Sequence, residues 1–202
     1  SFKIINFTYG TDGSGYKNAI INNFGSRHWL NRKKGGESLD LNGPEIYDFA
    51  LKRVPNAINE FLKKNNLKLN KINHFIFHQA NEFIIKSLQR KLKIPDNKIF
   101  FDMKNIGNTS SSSIPIVLSK IFYKISSGKN ILLIGFGGGL SWGVCLIKNA
   151  DKKNSKNKIF YFLYFDLKII HSAFSARTSF VSFFACFIVI FSISFKSSNR
   201  VF

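Results

Sequence analysis

The chain has 202 residues, with 30 Lys+Arg against 11 Asp+Glu and a formal net charge of +19, a balance that raises nucleic acid or an anionic lipid surface as partners. The charge is spread rather than concentrated, because residues 1–150 carry 22 basic and 9 acidic residues and residues 151–202 carry 8 and 2. No arginine-rich run, zinc-ligand spacing or RNA-binding aromatic motif accompanies it, so nucleic acid is set aside as a partner. The two cysteines, Cys145 and Cys186, each lie in an apolar run and suggest neither a disulfide framework nor a metal site. A reducing, cytoplasmic setting is the expectation. The first residue is Ser1 and no basic-then-apolar leader follows, so no secretory signal is expected and the chain reads as a fragment.

In chain order, residues 2–9 are rich in Phe, Ile and Tyr and alternate weakly, which predicts a strand; Gly10-Thr11-Asp12-Gly13-Ser14-Gly15 predicts a loop. Residues 22–42 are polar, with Gly35-Gly36 marking another loop. From Pro44, a favourable first-turn residue, Ile46, Phe49, Ala50, Val54, Ala57, Ile58, Phe61 and Leu62 recur at helical spacing. Pro55 is expected to bend that helix or divide it in two. The short apolar run Ile72 to Phe77 predicts a strand, followed by a helix patterned on Phe83, Ile84, Leu88 and Leu92. His78 then sits at the carboxyl end of a strand, where ligand and catalytic groups gather in open α/β sheets. A second unit follows, with a strand at Lys98 to Phe101, a loop at Asn105 to Thr109 and a helix from Ser110 to Ile125. Residues 130–136 and 140–147 predict two strands joined by a glycine turn. Strands alternating with helices in this way argue for an α/β layered fold.

Residues 151–202 differ in kind. They begin with a polar, lysine-rich stretch, become a run of Phe, Ser, Ile and Tyr, and contain neither Gly nor Pro. Thr178 to Phe195 is uncharged over eighteen residues between Arg177 and Lys196, the lower limit for a membrane-spanning helix of ~20 apolar residues. The readings left open for 150–202 are a membrane segment at 178–195 and a non-native extension arising from a frame change. Residues 1–149 are taken as the domain.

Two side chains stand out as hydrogen-bond donors in settings that look built. His78 follows a buried strand inside Phe77-His78-Gln79-Ala80-Asn81, whereas His28, His74 and His171 keep the plain reading of structural histidines. Asn108 lies in Gly107-Asn108-Thr109-Ser110; a helix cap would explain the Asn but not the glycine before it or the four serines after it. An imidazole and a carboxamide together can stabilise negative charge developing on a thioester oxygen. Gly137-Gly138-Gly139 could be a hairpin turn needing positive φ; it is not a phosphate loop, because Gly-x-Gly-x-x-Gly fails at Leu140.

Taken together, Phe77-His78-Gln79-Ala80-Asn81, Gly107-Asn108-Thr109 and Phe136-Gly137-Gly138-Gly139-Leu140-Ser141-Trp142-Gly143 resemble, in order and spacing, the C-terminal half of a β-ketoacyl-acyl-carrier-protein synthase III, over roughly residues 5 to 148. The resemblance implies one half of a thiolase-like αβαβα sandwich. It implies an acyltransferase of fatty-acid biosynthesis that joins an acyl thioester to malonyl-acyl carrier protein with loss of carbon dioxide. His78 and Asn108 would be the catalytic donor pair, Gly138 would offer a backbone N–H to the acyl oxyanion hole, and Phe136 would shape access to the nucleophile. Arg90 and Lys91 match a basic pair near which the family docks its acidic carrier protein, and Phe83 stands where an arginine often helps. The resemblance further implies coenzyme A and phosphopantetheine thioesters as substrates, no bound cofactor and a homodimer. The family's nucleophilic cysteine belongs to the other half, and neither Cys145 nor Cys186 matches it, so the chain alone is expected to be inactive. The alternatives are a thiolase-fold transferase that does not decarboxylate, and a non-catalytic remnant held at a membrane by residues 178–195.

Overall fold

A computed structural model describes residues 2–21 and 39–149. His28, Cys186, His171 and the tail with its candidate membrane segment lie outside the described residues. Strand β1 (Phe2–Thr11) leads through a 3-10 turn (Gly13–Asn18) to two short antiparallel strands, β2 (Ala19–Ile21) and β3 (Leu39–Leu41). Helix α1 (Gly43–Lys64) is followed by β4 (His74–Phe77), α2 (Glu82–Leu92), β5 (Ile99–Phe100) and the short α3 (Met103–Ile106). Helix α4 (Ser113–Ile121) and the hairpin of β6 (Asn130–Gly137) and β7 (Ser141–Asn149) complete the described residues. Five strands form one mixed sheet in the order β1-β7-β6-β4-β5, in which β4 runs parallel to β5 and β6 while β7 runs antiparallel to β6 and β1.

Successive residues of a strand point to opposite faces, and the core divides accordingly. Phe75 and Phe77 of β4, Leu132, Ile134 and Phe136 of β6, and Trp142, Val144 and Leu146 of β7 pack against α1 and α2. Their neighbours Ile76, Ile131, Leu133, Cys145 and Ile147 pack against Ile114, Val117, Leu118 and Ile121 of α4. The sheet is therefore covered on both sides, one αβα block. Each fully buried aliphatic or aromatic side chain contributes about 1.5–3 kcal/mol relative to exposure.

Helix α1 starts where Asn42 accepts a hydrogen bond from the N–H of Glu45 at 3.4 Å, with Pro44 in the first turn. Of the two outcomes expected of Pro55, division does not occur: 22 residues form one helix, with Pro55 buried among Val54, Ala57 and Ile58. Proline costs a helix one backbone hydrogen bond, and here the packing of that face against the sheet outweighs the loss. Phe83, part of the helical pattern, lies off the buried face of α2. It is 63% exposed and stacks on Tyr47 at 5.2 Å, while Ile84, Ile85, Leu88 and Leu92 form the buried face. Helix α2 ends at Leu92, the last residue of the apolar pattern, and Lys93 closes it in the left-handed conformation at φ 53°. Among the described residues no helix is long and apolar enough to cross a membrane.

Candidate active site

The parallel strands β5, β4 and β6 lie side by side, and the chain segments leaving them carry the residues of interest. His78 is the first residue past β4, held there by its N–H donating to the Ile134 carbonyl of β6 at 2.7 Å. Its Nδ1 lies 2.8 Å from Ser113 Oγ, and the edge of its ring meets Phe136 of β6 at 5.6 Å between centroids. Burial pushes the imidazole down to about 4, and an interaction with the Ser110 carbonyl, which favours the charged ring, does not offset it. His78 is neutral at pH 7. His74 stands at the other end of β4 against Phe100, where burial and the charges of Lys129 and Lys98 lower its pKa.

Gln79 is buried and uses both ends of its carboxamide: Nε2 donates to the Phe77 carbonyl at 2.7 Å and Oε1 accepts from the N–H of Asp102 at 2.9 Å. The second bond ties the turn after β4 to the segment after β5. The Asp102 carboxylate pairs in turn with Lys120 of α4. Asn81 has a local task, accepting from the N–H of Ile84 at 2.8 Å to cap α2.

Past α3, Gly107 takes φ +66°, a left-handed conformation that favours glycine. Asn108 is exposed, and its Oδ1 accepts from the N–H of Ser110 at 2.9 Å. That bond identifies the oxygen end of the carboxamide, since only an acceptor can face an N–H, and it leaves both amide hydrogens of Asn108 Nδ2 directed away from Ser110. Ser110 itself sits at φ +52°, unusual for a residue with a side chain. The short stretch Ser110–Ser113 thus touches both His78 and Asn108.

The turn between β6 and β7 is braced from the loop after β1. Leu140 and Asp12 exchange backbone hydrogen bonds at 2.9 and 2.8 Å, and Thr11 Oγ1 lies 2.9 Å from Ser141 Oγ. Gly139 takes φ +134°, and a Cβ there would come within 2.3 Å of Ser141 Oγ, so the turn itself demands that glycine. Gly138 is exposed, and a Cβ on it would meet only ordinary contacts with Ala19 at 3.8 Å and beyond. Cys145 lies in the core between β7 and α4. Among the described residues no group of three or more His, Cys, Asp or Glu side chains is placed to hold a metal ion.

Arg90 and Lys91 are exposed on α2, where Arg90 Nη2 donates to Ser87 Oγ at 3.2 Å and Lys86 pairs with Glu82 at 2.5 Å. Sequence reasoning reaches His78, Asn108 and Gly138 but passes over Ser113 and Gln79. Burial separates Ser113, 2% exposed, from the three serines before it, and nothing in the run of letters distinguishes them.

An αβα block with a histidine past one parallel strand and an asparagine loop past its neighbour is the architecture of half a thiolase-like condensing enzyme, and comparison with known proteins agrees. Residues 62–149 match the family described as 3-oxoacyl-[acyl-carrier-protein] synthase III C terminal. The chain is 37% identical over 157 residues to the β-ketoacyl-[acyl-carrier-protein] synthase III of Clostridium tetani, covering 72% of this chain and 47% of that protein. Among solved structures, a 3-oxoacyl-(acyl-carrier-protein) synthase III superposes with a TM-score of 0.63 at 33% identity, covering 72% of this chain and 47% of the other. The Aquifex aeolicus enzyme gives 0.63 at 30% identity over 73% of this chain and 44% of its own. Residues 62–149 thus match the C-terminal region of the family, and the chain as a whole is similar to the C-terminal half of a β-ketoacyl-acyl-carrier-protein synthase III. It spans about half the length of the curated relatives it matches.

Proposed function

We propose that this chain is the decarboxylating half of an enzyme that condenses an acyl thioester with malonyl-acyl carrier protein to a 3-oxoacyl product. Residues 1–149 form the working domain, and residues 150–202 take no part in the chemistry. The observation that carries this reading is the orientation of Asn108: its Oδ1 is committed to the Ser110 N–H at 2.9 Å, so what it offers a substrate is a donor. His78, neutral through burial, offers a second. When a malonyl thioester loses carbon dioxide, the electron pair left behind delocalises onto the thioester oxygen, and two donors aimed at that oxygen lower the barrier. The carbanion then attacks an acyl group held on a cysteine supplied from outside these residues. Gly138, whose missing side chain no packing demands, offers its backbone N–H to the oxyanion of that second step. Phe136, edge-on to His78, walls the site where the acyl group enters.

The substrates are thioesters of coenzyme A and of the phosphopantetheine arm of an acyl carrier protein. The acidic carrier docks on α2 through Arg90 and Lys91, and the whole protein works as a homodimer. In the natural gene product, His78→Ala and Asn108→Ala should each lower release of carbon dioxide from the malonyl thioester by about 10²–10³-fold or more, while acylation by acyl-coenzyme A, followed by mass spectrometry of the intact protein, persists. Loss of acylation in both variants would overturn the assignment. Retained acyl transfer in an unmutated protein that never releases carbon dioxide would instead favour a non-decarboxylating transferase.

A further inference from the structure

The donor role of His78 needs its single proton on Nε2, because Nδ1 is taken up against the protein. A neutral imidazole exchanges its proton between the two nitrogens, and the group facing one of them decides which tautomer prevails. The side chain facing Nδ1 is Ser113, the first residue of α4 and 2% exposed. Its Oγ already accepts from the backbone N–H of Gln79 at 3.2 Å. The same oxygen lies 2.8 Å from Nδ1, a pair in which either atom can be the donor. We propose that Ser113 is a positioning residue that donates to Nδ1 of His78 and so holds the ring as the Nε2–H tautomer.

The arrangement makes the hydroxyl a relay of orientation. The N–H of Gln79 fixes the oxygen, the fixed oxygen aims its hydrogen at Nδ1, and the ring is left with its N–H away from α4. Gln79 and His78 are consecutive, so the same hydroxyl ties the turn after β4 to the start of α4 at two points. The inference rests on the proposed donor role of His78 for its purpose, and on the hydrogen bonds alone for its test.

The test is nitrogen NMR of the 202-residue chain labelled with 15N-histidine, at pH 7, with the His78 signals assigned by comparison with His78→Gln. Expected in the unmutated chain is one protonated nitrogen, Nε2, and one pyridine-like nitrogen, Nδ1. In Ser113→Ala the two shifts should converge as both tautomers become populated, and Ser113→Thr, which keeps the hydroxyl, should restore the original pair. The opposite tautomer, with Nδ1–H turned to the Ser113 oxygen or the Ser110 carbonyl, overturns the proposal. So does a Ser113→Ala spectrum, from a chain whose amide dispersion shows it folded, in which His78 is unchanged. Should Ser113→Ala fail to fold, the tautomer of the unmutated chain still decides. These outcomes do not depend on turnover, so failure of the tautomer and failure of the condensing activity are read separately.

Discussion

His78 illustrates how burial serves chemistry and stability through one titration. The ring titrates near 4 in the folded protein against an ordinary value of 6.5, so the unfolded chain binds this proton more readily than the folded one. Its contribution to stability is complete above pH 6.5 and is lost as the pH falls from there through about 4. The shift corresponds to a contribution on the order of 3 kcal/mol. Urea unfolding of the 202-residue chain should therefore show a midpoint that drops between pH 6.5 and 4. His78→Gln should flatten that part of the profile and leave the smaller slope that His74, also depressed, supplies. An unchanged profile in His78→Gln would mean that the ring is not the buried base described. The same depression implies that the neutral, donating form of His78 dominates throughout pH 5–8, so pH dependence of turnover in that range would have to come from another group.

The elements of the sheet were legible where the two faces of a strand differ in what they bury. Residues 131–136 and Phe75 to Phe77 are apolar at every position but one because α helices cover both sides, and an uninterrupted apolar run is what a doubly covered strand needs. Strands β2 and β3 have three residues each, too few for any period to show. Phe83 belongs to the apolar pattern of α2 yet lies off its buried face, because residues one apart on a helix are turned about 100° from each other. Gln79 escaped notice for a different reason: its partner Asp102 is 23 residues away, a distance that no local pattern crosses. Its removal should nonetheless be costly. Gln79→Ala removes the side-chain donor to the buried Phe77 carbonyl and the Gln79 oxygen that the Asp102 N–H donates to, which predicts a loss of about 2–4 kcal/mol in urea unfolding. Hydrogen exchange at the Asp102 amide should rise with it, because the segment leading to Asn108 loses its tie to β4. Full protection of that amide in the variant would show that the segment is held without the Gln79 bond.

At the scale of the whole molecule, the proposed site is one wall of an active site rather than the whole of it. His78 and Asn108 come from adjacent exits of one sheet, and Asn108 and Gly138 stand exposed in the described residues, as expected of groups that face a substrate. The nucleophile is a matter of location. Cys145 pairs in register with Phe7 of β1 and Leu133 of β6 and turns into the α4 side of the core, 5% exposed; an acyl group placed there would have to displace Ile114, Val117 or their neighbours. Overpacking a dense core by even a few methylenes costs about 1–3 kcal/mol, so the fold disfavours acylation at that sulfur. Residues 1–202 incubated with radiolabelled acetyl-coenzyme A and malonyl-acyl carrier protein should therefore yield no labelled 3-oxoacyl product and retain no label on the chain after denaturation. Label found on Cys145 or Cys186 would overturn the division of labour between donors and nucleophile. If label instead appears when a segment bearing a strand-to-helix cysteine is supplied, and product formation then requires His78, the two walls are shown to be contributed separately, one by this αβα block and the other by its counterpart.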